Sequence, residues 1–203
     1  MAHEVKPHNT GTKQLFQNPI LERLSRTHIS IPISIFVLYS SGLLYWSVTN
    51  TSISVWASVG CFAAGVLFFT WVEYNMHRYL FHMAPYTKLR EKLQYTLHGV
   101  HHEYPKDKTR LAMPPLLSIT IATVLLLVFR VIMADYVFAF LPGFLLGYAS
   151  YLGVHYMVHA YQPPKNFFKY LWINHSVHHY KNGELVFGVS SPLWDYVYGT
   201  MSK

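Results

Sequence analysis

The sequence predicts an all-α integral membrane protein with four transmembrane helices in two hairpins and a cytosolic helical cap. Three observations lead there. No Lys, Arg, Asp or Glu occurs from Thr27 through Val72, a run of 46 residues. A second apolar region, Leu111 to Ala160, is interrupted only by Arg130 and Asp135. The 203-residue chain is 52% hydrophobic and 12% charged, whereas soluble domains carry about 25% charged residues. That balance argues against a soluble globular enzyme and excludes disorder and coiled coil. Cys61 is the single cysteine, so an internal disulfide, a cysteine zinc site and an iron–sulfur cluster are excluded.

The elements follow in order. Residues 13–26 set Leu15, Phe16, Ile20, Leu21 and Leu24 among Lys13, Arg23 and Arg26, the pattern of a short helix lying on the cytosolic interface. A bilayer span needs about 20 apolar residues, so the first charge-free run holds two spans, 30–48 and 53–72. Thr49, Asn50, Thr51 and Ser52 make the polar turn between them. Pro114 and Pro115 suit a helix entry and open a third span, 115–133. Arg130 and Asp135 mark a hairpin tip before a fourth span, 137–156. Pro142 and Gly143 mark a kink, tolerable where neighbouring helices satisfy the freed carbonyl.

Fifteen of the sixteen Lys and Arg lie in the N-terminal arm, in residues 78–110, or after the fourth span. The positive-inside rule places both termini and the middle segment in the cytosol. The first apolar stretch is too long and starts too late for a cleavable signal. One domain over 1–203 is expected in five parts: an arm (1–28), a first hairpin (30–72), a cytosolic histidine-rich segment (73–114), a second hairpin (115–156) and a histidine-rich C-terminal cap (157–203). The formal charge of +7 suits an anionic membrane surface, and no nucleic-acid partner is expected.

Ten of the thirteen histidines form four clusters: His77 and His82; His98, His101 and His102; His155 and His159; His175, His178 and His179. Spacings of three and four put imidazoles on one helical face. His77 and His82, five apart, need a local distortion near Tyr79 to point the same way. Neutral imidazole is the commonest metal ligand, and so many histidines on one membrane face serve no packing purpose. Ten ligands exceed the four to six that one ion takes, so two ions with about five imidazoles each are expected. Imidazole suits iron, copper, nickel and zinc alike. Haem is disfavoured because the histidines cluster at the membrane ends rather than facing one another singly inside a bundle. His3, His8 and His28 fall outside the clusters and are not expected to be ligands.

The segments Asn18–His28 (NPILERLSRTH), Glu73–His82 (EYNMHRYLFH), Leu97–Pro115, His155–Tyr161 (HYMVHAY), His175–His179 (HSVHH) and Phe187–Thr200 (FGVSSPLWDYVYGT) resemble the fatty acid hydroxylase superfamily, which also holds sterol desaturases and carotenoid hydroxylases. The likeness covers roughly Leu15 to Thr200. Asn18–His28, Arg110–Pro115 and Phe187–Thr200 point to its fatty acid 2-hydroxylase branch. The resemblance implies a membrane di-iron monooxygenase that uses O2 and two electrons to hydroxylate carbon 2 of a fatty acyl chain, free, as a thioester or in a sphingolipid. It implies that the ten clustered histidines hold the two irons, with zinc in purified protein as a variant. Members often carry a cytochrome b5 domain. Only about thirty residues precede the first span here, so a separate donor, cytochrome b5-like or ferredoxin-like, is expected, and a bacterial inner membrane is favoured over an endoplasmic reticulum.

Beyond the ligands, partners that orient the imidazoles are expected. Glu73, one turn before His77, and Asp195 are the first candidates, Glu103 and Glu184 weaker ones. Arg78 and Arg110 either meet an acyl carboxylate or lipid phosphate or, the preferred reading, snorkel to the interface. Tyr74, Tyr151, Tyr156 and Tyr180 are candidates to line the site. Two other functions compete: a sterol or carotenoid oxidase with the same metal site, and a non-catalytic membrane metal-binding protein. The latter would need polar ligands along a path through the spans, and the sequence offers none.

Overall fold

The computed structural model describes residues 6–202, and among these every regular element is helical. α1 (Pro19–Leu24) is shorter than the helix expected over 13–26. The Asn18 side chain starts it by accepting from the amides of Ile20 and Leu21 at 2.9 and 3.2 Å, satisfying donors that lack helical partners. Ile20, Leu21 and Leu24 are exposed on it.

Four long apolar helices follow: α2 (Ser30–Asn50), α3 (Val55–Asn75), α6 (Pro115–Met133) and α7 (Val137–Ala160). Three stretches are long and apolar enough to cross a membrane: Ser30–Asn50, Val55–Phe81 and Pro115–Ala160. The third is divided at Ala134, whose φ of +51° opens a 3-10 turn over Ala134–Tyr136. The chain reverses there, so that Phe129 of α6 meets Phe140 of α7 at 5.5 Å between ring centres. Arg130 and Asp135 pair at 2.8 Å at this tip. The boundaries of α6 match the expected 115–133, whereas α7 runs four residues beyond 156.

α7 is the central helix. Leu141, Leu145, Ala149 and Leu152 are buried in one cluster with Phe36 of α2, Phe69 of α3 and Ala122 of α6. The outer faces invert the usual rule: Trp56 is 85% and Val131 87% exposed, an apolar exterior suited to a lipid surrounding. α3 and α7 approach closely because Gly65 and Gly143 sit at the crossing. A Cβ on Gly65 would lie 2.1 Å from the Phe140 carbonyl oxygen, and one on Gly143 2.0 Å from that of Phe62. Small residues let helices pack backbone to backbone where the surrounding lipid supplies no hydrophobic drive. That is the work of Gly143; α7 runs unbroken through Pro142.

The remaining helices form the cap at one end of this bundle: α4 (Lys88–Gln94), α5 (Val100–Glu103), α8 (Lys169–Tyr180) and α9 (Leu193–Tyr198). The arm straps onto it. Lys13 pairs with Glu103 at 3.1 Å, Thr12 bonds to Asp107, and the Tyr180 hydroxyl donates to Asn9 at 2.9 Å. Arg110 is the centre of the strap and neither snorkels nor faces lipid. Its buried guanidinium donates to Glu22, to Ser25 Oγ at 2.9 Å and to the Lys13 carbonyl at 2.7 Å. Burial alone would raise the Glu22 carboxyl, but amides of Leu15 and Phe16 with Arg26 and Arg110 hold it at about 2.

Two outcomes follow from this packing. Gly143→Ala should destabilise the folded chain by about 2 kcal/mol or more, the cost of overpacking a tight core, read as a lower Tm in detergent. Gly153→Ala, which meets nothing within 4 Å, should be tolerated. The Glu22 carboxylate is depressed from 4.5 to about 2, so its contribution is complete above pH 4.5 and is lost as pH falls towards 2. Limited pepsin digestion should cut the arm of the wild type only near pH 2, and that of Glu22→Gln already at pH 4.

Candidate metal centre

Each histidine is placed by a particular local structure. α3 continues into a π-helical turn, Met76–Phe81, in which the His82 amide donates to the His77 carbonyl at 3.1 Å. The i to i+5 bonding of a π-turn brings residues five apart to one side, the distortion that the HRYLFH spacing requires. A second π-turn, Tyr95–Gly99, carries His98 and runs into α5 with His101 and His102. His155 and His159 occupy the end of α7, and His175, His178 and His179 lie on α8.

The ten imidazoles fall into two pockets. His77, His82, His98, His102 and His178 form the first; His101, His155, His159, His175 and His179 form the second. Within each, one nitrogen per residue lies within 4.8 Å of all the others. The grouping crosses the sequence motifs. HGVHH sends His98 and His102 to the first pocket but His101 to the second, whereas HSVHH sends His175 and His179 to the second but His178 to the first. The pockets adjoin where His102 and His179 stack at 4.2 Å.

The nitrogens are spaced as ligands. In the first pocket His98 Nε2 stands 3.0 Å from both His77 Nε2 and His102 Nε2, and His178 Nε2 stands 3.0 Å from His82 Nε2. In the second, His155 Nε2 lies 3.0 Å from His101 Nε2 and 3.2 Å from His159 Nε2, which lies 2.7 Å from His175 Nε2. Nitrogens about 2.1 Å from a common ion stand roughly 3.0 Å apart at right angles and roughly 4.2 Å apart when opposite. Protons cannot satisfy this arrangement: His98 Nε2 has one hydrogen at most and faces two ring nitrogens. Burial first, then the neighbouring imidazoles, depresses His98, His101, His102, His175 and His179 far below the ordinary histidine range, and His82 to about 2. Burial lowers His178 to about 4 against a raising bond to Leu185. The residues therefore fit metal: ten neutral imidazoles with converging lone pairs.

Backbone carbonyls orient two of them. His77 Nδ1 donates to Phe187 O at 2.6 Å and His178 Nδ1 to Leu185 O at 2.8 Å, leaving each Nε2 as the inward lone pair. These carbonyls flank a tight loop that sequence reasoning missed, since a backbone oxygen leaves no mark in residue type. Glu73 and Asp195, expected near the ligands, touch no imidazole. They hold this loop: Asp195 accepts from the amides of Phe187 and Gly188, and Glu73 from those of Val189 and Ser190, all at 2.8 Å.

The other candidates are mostly elsewhere. Glu103 pairs with Lys13 and Tyr95, and Glu184 is exposed. Arg78 is half-buried; it donates to the Tyr74 hydroxyl at 2.9 Å and lies over the Tyr79 and Phe187 rings. Tyr151 stacks on His155 at 5.4 Å and lines the second pocket. Tyr74 is buried and bonds to Thr200, Tyr156 packs on Tyr161, and Tyr180 holds the arm. His8 stacks on Tyr104 and His28 bonds to Ser30, both away from the pockets. His3 lies outside the described residues.

A helical membrane protein with a candidate dimetal centre of ten histidines is the class that this fold and site define. The family model described as fatty acid hydroxylase matches residues 62–200, and the chain belongs to the fatty acid hydroxylase family. It is 34% identical to the fatty acid 2-hydroxylase of Mus musculus over 93% of this chain and 56% of that one. It is 35% identical to the ceramide very long chain fatty acid hydroxylase SCS7 of Saccharomyces cerevisiae over 98% of this chain and 52% of that one. A solved structure described as full length scs7p, with only the hydroxylase domain visible, superposes with a TM-score of 0.85 at 32% identity, covering 96% of this chain and 74% of that one. The chain spans about half the length of the curated relatives it matches first. These relatives are eukaryotic, so the expected preference for a bacterial inner membrane has no support.

Proposed function

We propose that this chain is the hydroxylase domain of a membrane monooxygenase that places a hydroxyl group on carbon 2 of a fatty acyl chain. The carrying observation is the pair of five-imidazole pockets at one end of a lipid-covered bundle, in a family whose relatives here are named for fatty acid and ceramide hydroxylation. All ten clustered histidines are the proposed metal ligands, and His8 and His28 are not. Two irons bound there would supply the oxidation of an unactivated C–H bond by O2 with two electrons. The electrons come from a cytochrome b5-like or ferredoxin-like donor.

The protein's own part is binding, orientation and exclusion of water. The imidazoles are kept neutral by burial, and His77 and His178 are kept in one tautomer by the Phe187 and Leu185 carbonyls. α2, α3, α6 and α7 are four membrane spans, with both termini and the cap on the cytosolic side. Their exposed apolar faces let an acyl tail lie in the bilayer while its carboxyl or sphingolipid head stays at the cap. The arm, two hairpins, middle segment and tail then act as one domain over 1–203.

Two measurements test this. Purified chain should hold two metal ions; His101→Ala should lose metal and His28→Ala keep both, as counted by elemental mass spectrometry. Lipids from cells expressing the chain with a supplied electron donor should contain 2-hydroxy acyl species that are absent with His101→Ala. A metal-loaded protein that yields no hydroxylated acyl lipid overturns the 2-hydroxylase assignment and directs the search to sterols and carotenoids.

A further inference from the structure

The two pockets have the same ligands but different surroundings. In the first, the Nδ1 atoms of His77 and His178 are bonded to Phe187 O and Leu185 O. In the second, the buried Nδ1 atoms of His101, His155, His175 and His179 have no hydrogen-bond partner among the described residues. The carbonyls of the first pocket belong to the segment 185–190, whose form is imposed from outside. Four successive amides, Phe187 to Ser190, are taken by two buried carboxylates, Asp195 and Glu73. Val186 is held at φ +52°, a conformation costly for a β-branched residue that persists only when its surroundings over-determine it. Gly188 is required, because a Cβ there would lie 2.1 Å from the Ser191 carbonyl oxygen and 2.7 Å from Asp195 Oδ2.

One peptide group links carboxylate to imidazole. The Gly188 N–H donates to Asp195 Oδ2, and the Phe187 carbonyl of that same peptide accepts from His77 Nδ1. Carboxylate, peptide and imidazole form a chain in which each bond polarises the next. This is the usual carboxylate–histidine–metal arrangement with a peptide unit inserted. Thr200 Oγ1 donates to Asp195 Oδ1 at 2.7 Å and lies 3.0 Å from the Tyr74 hydroxyl, which accepts from Arg78, so the carboxylate is fixed on its far side too.

We propose that Asp195 and Glu73 are positioning residues for the first pocket alone, acting on His77 and His178 through the 185–190 segment, and that the two metal sites are therefore inequivalent. The proposal rests on the dimetal reading above. The first pocket holds its ion more tightly, and the second empties first. Asp195→Asn turns one acceptor into a donor that faces a backbone N–H, so it disturbs the Phe187–Gly188 peptide without changing volume. Glu73→Ala removes Oε1, the shared acceptor of the Val189 and Ser190 amides.

Zinc is the probe. Purified full-length chain in detergent is loaded with Zn(II), freed of excess, titrated with a chelator and counted for bound metal. Wild type should release two zinc ions in two steps. Asp195→Asn should weaken one of them about 10–100-fold, the usual cost of losing a partner of this kind, and Glu73→Ala should show the same pattern. Pocket assignment comes from paired backgrounds. With His179→Ala the retained zinc should respond to Asp195→Asn, and with His98→Ala the retained zinc should not. The unaffected ion serves as the folding control, since general unfolding would release both. Equal weakening of both ions, or of neither, overturns the inequivalence while the dimetal site stands. A wild type that binds no zinc overturns the dimetal reading and this proposal together.

Discussion

Ten imidazoles, seven buried and three half-buried, with neighbouring nitrogens as close as about 3 Å, are an arrangement that hydrogen bonding alone cannot satisfy. Too few protons are available for the facing lone pairs, and charging the rings is opposed by burial and by every neighbouring imidazole. The described part of the cap offers no carboxylate in contact with these rings to compensate them. The surrounding architecture answers this constraint. Two π-turns re-aim His77, His82 and His98, the end of α7 brings His155 and His159, and α8 closes the set. A metal ion in each pocket would convert this frustration into bonding, which is why the pockets carry the functional reading.

The crossed membership of the pockets ties the halves of the chain together. Each helical pair, His77/His82 and His155/His159, is joined by residues i and i+4 of the nearer HxxHH motif, and residue i+3 goes to the opposite pocket. His101 and His178 are the exchanged residues. Neither half can therefore complete a pocket alone, and the middle segment and the tail have to assemble on the bundle together. The same logic appears in the anchoring of the tail, where Trp194 Nε1 donates to Thr70 and Trp71 Nε1 to the Tyr198 hydroxyl, both across more than 120 residues of chain.

Much of this was legible because it is one-dimensional. Charge-free length marks the long helices, and α6 begins and ends where Pro115 and Arg130–Asp135 imply. The five-residue gap between His77 and His82 foretold a distortion, because no α-helical face serves it. Three features were not legible, each for a physical reason. The exchange of His101 and His178 depends on how α5 and α8 cross, and that is a property of packing rather than spacing. Gly65 and Gly143 matter through each other across 78 positions, so Gly143 alone read as a kink. Arg78 and Arg110 read as interfacial because a long cationic side chain ordinarily reaches for water. Here Tyr74 stands close enough to bond Arg78, and Glu22 holds the Arg110 guanidinium inside.

Glu73 and Asp195 show the limit most sharply. Both were candidates to orient an imidazole directly, yet each carboxylate accepts from two backbone amides and one hydroxyl instead. A carboxylate bonded straight to a ligand would fix one ring. Placed behind a loop, two carboxylates fix four amides and, through Leu185 and Phe187, two rings on different helices at once. They do so while standing back from the pockets, where a negative charge would compete for the ion. The arrangement also joins the end of α3 to the tail, so the same two carboxylates tie the apolar bundle to the loop that aims the imidazoles.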